Sequence, residues 1–284
     1  MLKKLKKQLG YTKRGLTGYF QNNFSKIPNI PADLTPSVIG KSVNNKPINC
    51  YQIGDGPIKV LYTFGIHGNE IGTVKLAQHL LVWLKEQKEF LQKFKIFVIP
   101  CLNPDGFKLA RKSPQYLKGG NLGRFNAHNV DLNRNFLTPS FQKKSVWSFG
   151  KNFSESSEVY CGEFGNSEPE TKAFTDFIEK EKIKILFMFH NAGREVMSNK
   201  NELSKKLVNS YCEKTGFKYV SEENWVILKQ TGTAKEWCDL HEIAYVEVEG
   251  STRWGSDRKK QKNAIQATLD LVAGGGIEPP TSGL

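Results

Sequence analysis

The chain has 284 residues, 38% of them hydrophobic and 24% charged, which supplies a packed core and excludes wholesale disorder. Its longest apolar runs, Leu80 to Leu84 and Ile185 to Phe189, fall far short of the ~20 residues a membrane span needs. Lys and Arg total 41 against 28 Asp and Glu, a net charge of +13. The excess is spread along the chain with no nucleic-acid module, so it reads as a solvated lysine-rich surface and no nucleic-acid partner is expected.

Met1-Leu2-Lys3-Lys4 has the charged start of a signal peptide. Lys6, Lys7, Gln8, Lys13 and Arg14 then stand where the apolar segment should be, so no cleaved secretory signal is expected. Residues 1–45 read as a basic, loop-rich approach segment. They carry Gly10, Gly15, Gly18, Pro28, Pro31 and Pro36 and no sustained apolar period. Two strands are predicted next, Ile48 to Ile53 and Ile58 to Phe64, split by the turn Gly54-Asp55-Gly56-Pro57. Val74, Ala77, Leu80, Leu81 and Leu84 then recur at helical spacing. Lys95 to Pro100 is a third strand. Gly106 to Ser157 lacks periodicity, and a loop that long is expected to be functional or disordered.

Ser167 and Glu168-Pro169-Glu170 open a predicted helix that runs to about Lys182. Lys184 to Phe189 is a buried strand, Glu202 to Thr215 a helix and Thr233 to Leu240 a shorter one. Ile243 to Val248 and Asp257 to Val272 complete the set as strand and helix. The alternation predicts one α/β domain over 46–273, with a mixed, largely parallel sheet flanked by helices on both faces. Residues 274–284 read as a loose tail. Cysteines at 50, 101, 161, 212 and 238 are odd in number, widely spaced and without a Cys-x-x-Cys pair. They fit reduced thiols in a cytoplasmic protein, with Cys101 and Cys238 as core fillers.

Of five histidines, His67 and His190 each follow an apolar strand, where open α/β sheets bind ligands. A lone histidine there is more often structural. The context differs, because His67-Gly68-Asn69-Glu70 sits at a turn entering a helix, where a His and a carboxylate three residues apart can converge on one ion. With His190 the set becomes two His and one Glu, the donor set of a catalytic zinc with one position left to water. The His-Glu-x-x-His helix of other zinc proteases is absent.

These residues resemble the signature of the zinc metallocarboxypeptidases of the carboxypeptidase A type, His-x-x-Glu followed by a remote third His. The stretch from Arg124 through Asp131-Leu132-Asn133-Arg134 to Phe136 is similar to that family's Arg-x-Asn-x-x-Gly-Val-Asp-Leu-Asn-Arg-Asn-Phe, most closely in bacterial members. Asn129 stands for the usual Gly, and Asn also visits positive φ. Asn103-Pro104-Asp105-Gly106 resembles a loop of the family and is expected to be a turn without chemistry. Glu247 is followed by Arg253-Trp254-Gly255 at the family's interval.

The resemblance implies one zinc ion per chain held by His67, Glu70 and His190. It implies Glu247 as general base and acid, Arg124 as oxyanion stabiliser, and Asn133 and Arg134 as holders of a substrate carboxylate. Asp131 would orient a ligand histidine. Arg134 and Asp131 could equally be ion-pair partners within the loop. The family's substrate-covering tyrosine has no counterpart in 223–229, where Trp225 is the apolar candidate and Tyr219 the nearest phenol. Glu249 shares a strand face with Glu247 and is expected to turn away, beyond the strand end, towards a basic partner. The implied substrate is a peptide or muropeptide-like molecule with a free carboxylate. The alternative is an N-acyl amino acid deacylase of the aspartoacylase/succinylglutamate desuccinylase type, which shares His-Gly-Asn-Glu and Asp-Leu-Asn-Arg.

Overall fold

The computed structural model describes residues 29–112, 121–149, 155–221, 230–252 and 255–275. An antiparallel pair comes first, β1 (Ser37–Lys41) and β2 (Pro47–Ile53). Next are β3 (Ile58–Phe64), helix α1 (Ile71–Lys85), the short α2 (Lys88–Lys93) and β4 (Phe94–Ile99). Helix α3 (Pro104–Lys112) and a 3-10 turn at Leu132–Arg134 precede a two-stranded ribbon, β5 (Lys144–Phe149) with β6 (Glu155–Tyr160). Helix α4 (Pro169–Glu181) leads to β7 (Ile185–Asn191) and β8 (Glu195–Ser198). The rest is α5 (Glu202–Thr215), β9 (Lys218–Val220), α6 (Ala234–Leu240), β10 (Ala244–Gly250) and α7 (Arg258–Ala273).

Eight strands form one mixed sheet in the order β1-β2-β4-β3-β7-β10-β8-β9. The central four, β4-β3-β7-β10, run parallel. Parallel strands are covered on both faces, which is why β7 is apolar without alternation until His190 and all seven of its residues are buried. On one face Tyr62, Phe64, Phe187 and Phe189 pack under α1, α5 and α7, through Leu81, Leu84, Leu207, Tyr211, Ile265 and Leu269. On the other, Leu61, Leu186 and Met188 meet Phe136, Phe174, Ile178 and Trp237. Each such fully buried side chain contributes roughly 1.5–3 kcal/mol.

Local signals set the helix ends. Pro169 begins α4 and needs no N–H partner there. Asn201 accepts the Leu203 N–H at the start of α5, and Thr233 accepts the Glu236 N–H at the start of α6.

Several elements differ from the sequence reading. The sheet already includes β1, inside the segment 1–45 read as an approach. Asn103-Pro104-Asp105-Gly106 is the start of α3, not a free turn, because Asn103 Oδ1 accepts the Gly106 N–H at 2.8 Å. The stretch 106–157 holds the rest of α3, the 3-10 turn, β5 and the first half of β6, which runs on to Tyr160. β7 continues through His190 to Asn191, and β10 through Glu249 to Gly250, because their parallel pairing runs on to Asn191 opposite Gly250. The carboxyl ends of β3, β7 and β10 therefore lie side by side.

Candidate active site

Beyond β3 the chain makes one turn before α1. The Glu70 N–H donates to the His67 carbonyl at 3.1 Å. The Thr73 hydroxyl donates to the Glu70 carbonyl at 2.8 Å and accepts the Gly65 N–H at 3.2 Å. Glu70 occupies the cap position of α1, yet its side chain makes no capping hydrogen bond. It turns inward instead. Gly68 is required here: a Cβ would lie 2.1 Å from the Phe107 nitrogen, where the start of α3 presses on the turn.

His67, Glu70 and His190 are all buried, and one ligand-type atom from each lies within 4.8 Å of the others. His67 Nδ1 stands 3.0 Å from Glu70 Oε1 and 3.2 Å from His190 Nδ1, while its Nε2 lies 3.1 Å from Asp131 Oδ1. Asp131 only accepts, so Nε2 carries the His67 proton and the Nδ1 lone pair faces the cluster. Among the described residues Glu70 Oε2 and His190 Nε2 are buried without a hydrogen-bond partner, Oε2 lying 3.3 Å from His190 Nδ1 in an ion pair.

Such convergence of basic atoms demands positive charge at its centre. Burial opposes the charge on His190, but Glu247 and Glu70 raise its pKa to about 9. Burial likewise works against the Glu70 carboxylate, but His67 and His190 hold it below the usual range. Two imidazole nitrogens and a carboxylate, with an acidic residue behind one histidine, fit a catalytic zinc ion.

Asp131 is fully buried. Its Oδ1 also accepts the Asn133 N–H at 3.1 Å. Oδ2 accepts from Arg124 Nε at 2.9 Å and lies 2.8 Å from Nη2 in an ion pair. Burial alone would raise its pKa, and Arg124 and His67 hold it well below the ordinary value. Arg124 points Nη1 at His67 Nδ1, 3.3 Å away. Its backbone is tied as well, since Asn103 Nδ2 donates to the Arg124 carbonyl at 3.2 Å. Asn129 adopts φ 63°, the positive value that its replacement of Gly anticipates.

Arg134 is 2% exposed and donates from Nε to the Val146 carbonyl at 3.1 Å and from Nη1 to the Asn133 carbonyl at 2.7 Å. Burial lowers its pKa, with Asp131 and Glu247 opposing. Asn133 Oδ1 accepts the Ala234 N–H at 3.1 Å, which ties this turn to the start of α6. Glu247 Oε2 lies 3.9 Å from His190 Nε2 and accepts the Tyr245 hydroxyl at 2.5 Å.

Glu249 departs from expectation. It lies within β10, its Cα opposite His190 on one side and Glu195 on the other. It faces the cluster and makes no ion pair among the described residues; the basic groups that act on it are the site's own His190 and Arg124. Burial pushes its carboxyl up to about 8; His190 opposes, and Glu70 and Glu247 add to the rise.

All eight candidate residues are thus gathered at one end of the sheet. Asn103, Trp147 and Tyr245 join them, although the sequence reading gave them no role at the site. Tyr219 does not: it lies in β9, with its hydroxyl 2.9 Å from Ser198 Oγ. Trp225, Arg253 and Trp254 lie outside the described residues.

The zinc carboxypeptidase family profile matches residues 27–278. The chain belongs to this family. Zinc is the metal of the zinc carboxypeptidases, and the buried His–Glu–His set is present for it. Carboxypeptidase O of Bos taurus is 26% identical over 238 residues, 72% of this chain and 60% of its own length. Carboxypeptidase D of Anas platyrhynchos is 33% identical over 118 residues, 37% of this chain and 8% of its own. The chain thus spans less than two thirds of these curated relatives.

Among solved structures, bovine thrombin-activatable fibrinolysis inhibitor superposes with a TM-score of 0.68 at 16% identity, covering 94% of this chain and 98% of that one. Murein-tripeptide amidase from Escherichia coli O157 gives 0.60 at 21% identity, covering 86% and 93%. At these identities the likeness is one of fold.

Proposed function

We propose that this zinc carboxypeptidase family member hydrolyses a peptide or amide bond next to a free carboxylate. The observation that carries the reading is the convergence of His67, Glu70 and His190 within 4.8 Å, buried at the ends of parallel strands. Zinc bound there supplies a Lewis acid that polarises the scissile carbonyl and acidifies water. The Glu247 carboxylate takes the proton of the attacking water and delivers it to the leaving nitrogen. Arg124 directs Nη1 towards the cluster, where it meets the negative charge that develops on the carbonyl oxygen. Asp131 fixes the His67 tautomer.

Arg134 and Asn133 hold the substrate carboxylate. Backbone carbonyls take two of the guanidinium donors and leave its remaining N–H groups for the ligand. Amidation of a substrate's terminal carboxylate should therefore damage turnover in the wild type far more than in Arg134→Ala. Equal sensitivity, measured as the ratio of kcat/KM values, would assign Arg134 a structural task.

Peptides are the simplest substrates, and muropeptides are a second source of the same bond, in keeping with the fold shared with a murein-tripeptide amidase. Zinc-loaded protein should cleave peptides with free C-termini or γ-glutamyl muropeptides. Cleavage of N-acyl amino acids alone would overturn the peptidase reading. Among the described residues no helix is long and apolar enough to cross a membrane, and all five cysteines are free. The free thiols favour a reducing, cytoplasmic setting. The family match begins at residue 27, so removal of residues 2–20 should leave hydrolysis nearly intact. A large loss in a still-folded protein would place the domain boundary earlier.

A further inference from the structure

Among the described residues the ribbon β5–β6 pairs with no strand of the main sheet, and two strands alone are marginal in water. Its contacts explain why it stays in place. The Asp131 N–H donates to the Tyr160 carbonyl at 2.9 Å, and the Thr231 N–H donates to Ser145 Oγ at 3.1 Å. Two neighbouring residues of β5 then meet the two arginines of the site. The Val146 carbonyl accepts from Arg134 Nε at 3.1 Å. The Trp147 ring lies under the Arg124 guanidinium, Cζ 4.6 Å from the ring centroid.

Asp131 cannot fix Arg124 alone. Both Nε and Nη2 converge on the single oxygen Oδ2, because Oδ1 is taken by His67 and the Asn133 N–H. One oxygen is a pivot, unlike the two-oxygen fork that would lock the guanidinium plane. Nη1 meets His67 Nδ1 at 3.3 Å, a nitrogen that zinc would occupy; the aromatic face supplies a constraint that stays in place, attracting the cation while blocking its tilt. Arg124 is 5% exposed, so little solvent competes for it.

We infer that Trp147 is a positioning residue: its ring holds the Arg124 guanidinium in the plane that aims Nη1 at the reacting centre, making β5 the brace of the site. This rests on the hydrolase reading above.

The test compares Trp147→Leu and Trp147→Phe, alone and with Arg124→Lys. Trp147→Leu should lower kcat about tenfold, equivalent to ~1.4 kcal/mol, with little change in KM. Trp147→Phe should recover most of that loss. In the Arg124→Lys background the Leu substitution should cost almost nothing more, since the fork it serves has gone. A readout independent of turnover is the Arg124 Nε–H resonance, identified by its loss in Arg124→Lys. Ring-current shielding should displace it in the wild type and release it in Trp147→Leu. Equal kcat losses in the Leu and Phe variants, a loss confined to KM, or an undiminished effect in the Arg124→Lys background would overturn the inference. An unshifted resonance would refute the stacking itself. A wild type inactive on every substrate, with the resonance shifted as expected, would instead defeat the hydrolase reading.

Discussion

Replacement of His67 or His190 by alanine should strip the protein of both its zinc and its hydrolytic activity. Each contributes one of three buried atoms that share a space 4.8 Å across, and nothing among the described residues stands ready to replace either. The purified wild type should contain about one zinc per chain, measurable by elemental analysis, and should lose activity when a chelator removes it. Metal that binds only the folded state also stabilises it, by roughly 2.7 kcal/mol at a hundredfold excess over Kd. Zinc should therefore raise the melting temperature of the wild type and leave that of either alanine variant unmoved. Full activity in a metal-free preparation would end the zinc hydrolase reading.

Substitution of Glu247 by Gln should retain zinc and substrate binding and lower turnover by about 10²–10⁴-fold, the usual contribution of general acid–base catalysis. Glu249→Gln should be much milder. Both carboxylates face the cluster, so position along the strand does not separate them. Anchoring does. The Tyr245 hydroxyl holds Glu247 Oε2, 3.9 Å from His190 Nε2, whereas no hydrogen bond among the described residues fixes Glu249. A proton carrier must be held within reach of both its donor and its acceptor. Steady-state kinetics on the two variants decide the matter. A reversed order of severity would move the base two residues along β10.

What could be read from the sequence follows from how local each signal is. His67 and Glu70 are three residues apart at a strand-to-helix turn, so their convergence is written in one short segment. The central strands announce themselves by continuous apolar runs, since both faces are covered. The fate of Glu249 was hidden because the length of β10 is set by its neighbours: pairing with β7 runs to Gly250, and β8 lies on the other side. The ribbon was hidden for a different reason. Glu155, Ser156 and Glu158 are exposed, so β6 carries no core pattern, and what holds the ribbon are hydrogen bonds to distant residues. Asn103 looked like punctuation in a turn, because its bond to the Arg124 carbonyl spans 21 residues.

His67 and His190 stand 123 residues apart in the chain and become neighbours only when β3 and β7 lie side by side. Closing so distant a contact carries an entropy cost that must be met before the contact rewards it. Synthesis runs from the N-terminus, so a growing chain displays His67 and Glu70 long before it possesses His190 and Glu247. No nascent fragment therefore carries a complete set of catalytic groups. The site is thus an all-or-none property of the closed sheet, and truncation anywhere before residue 247 removes at least one of its groups.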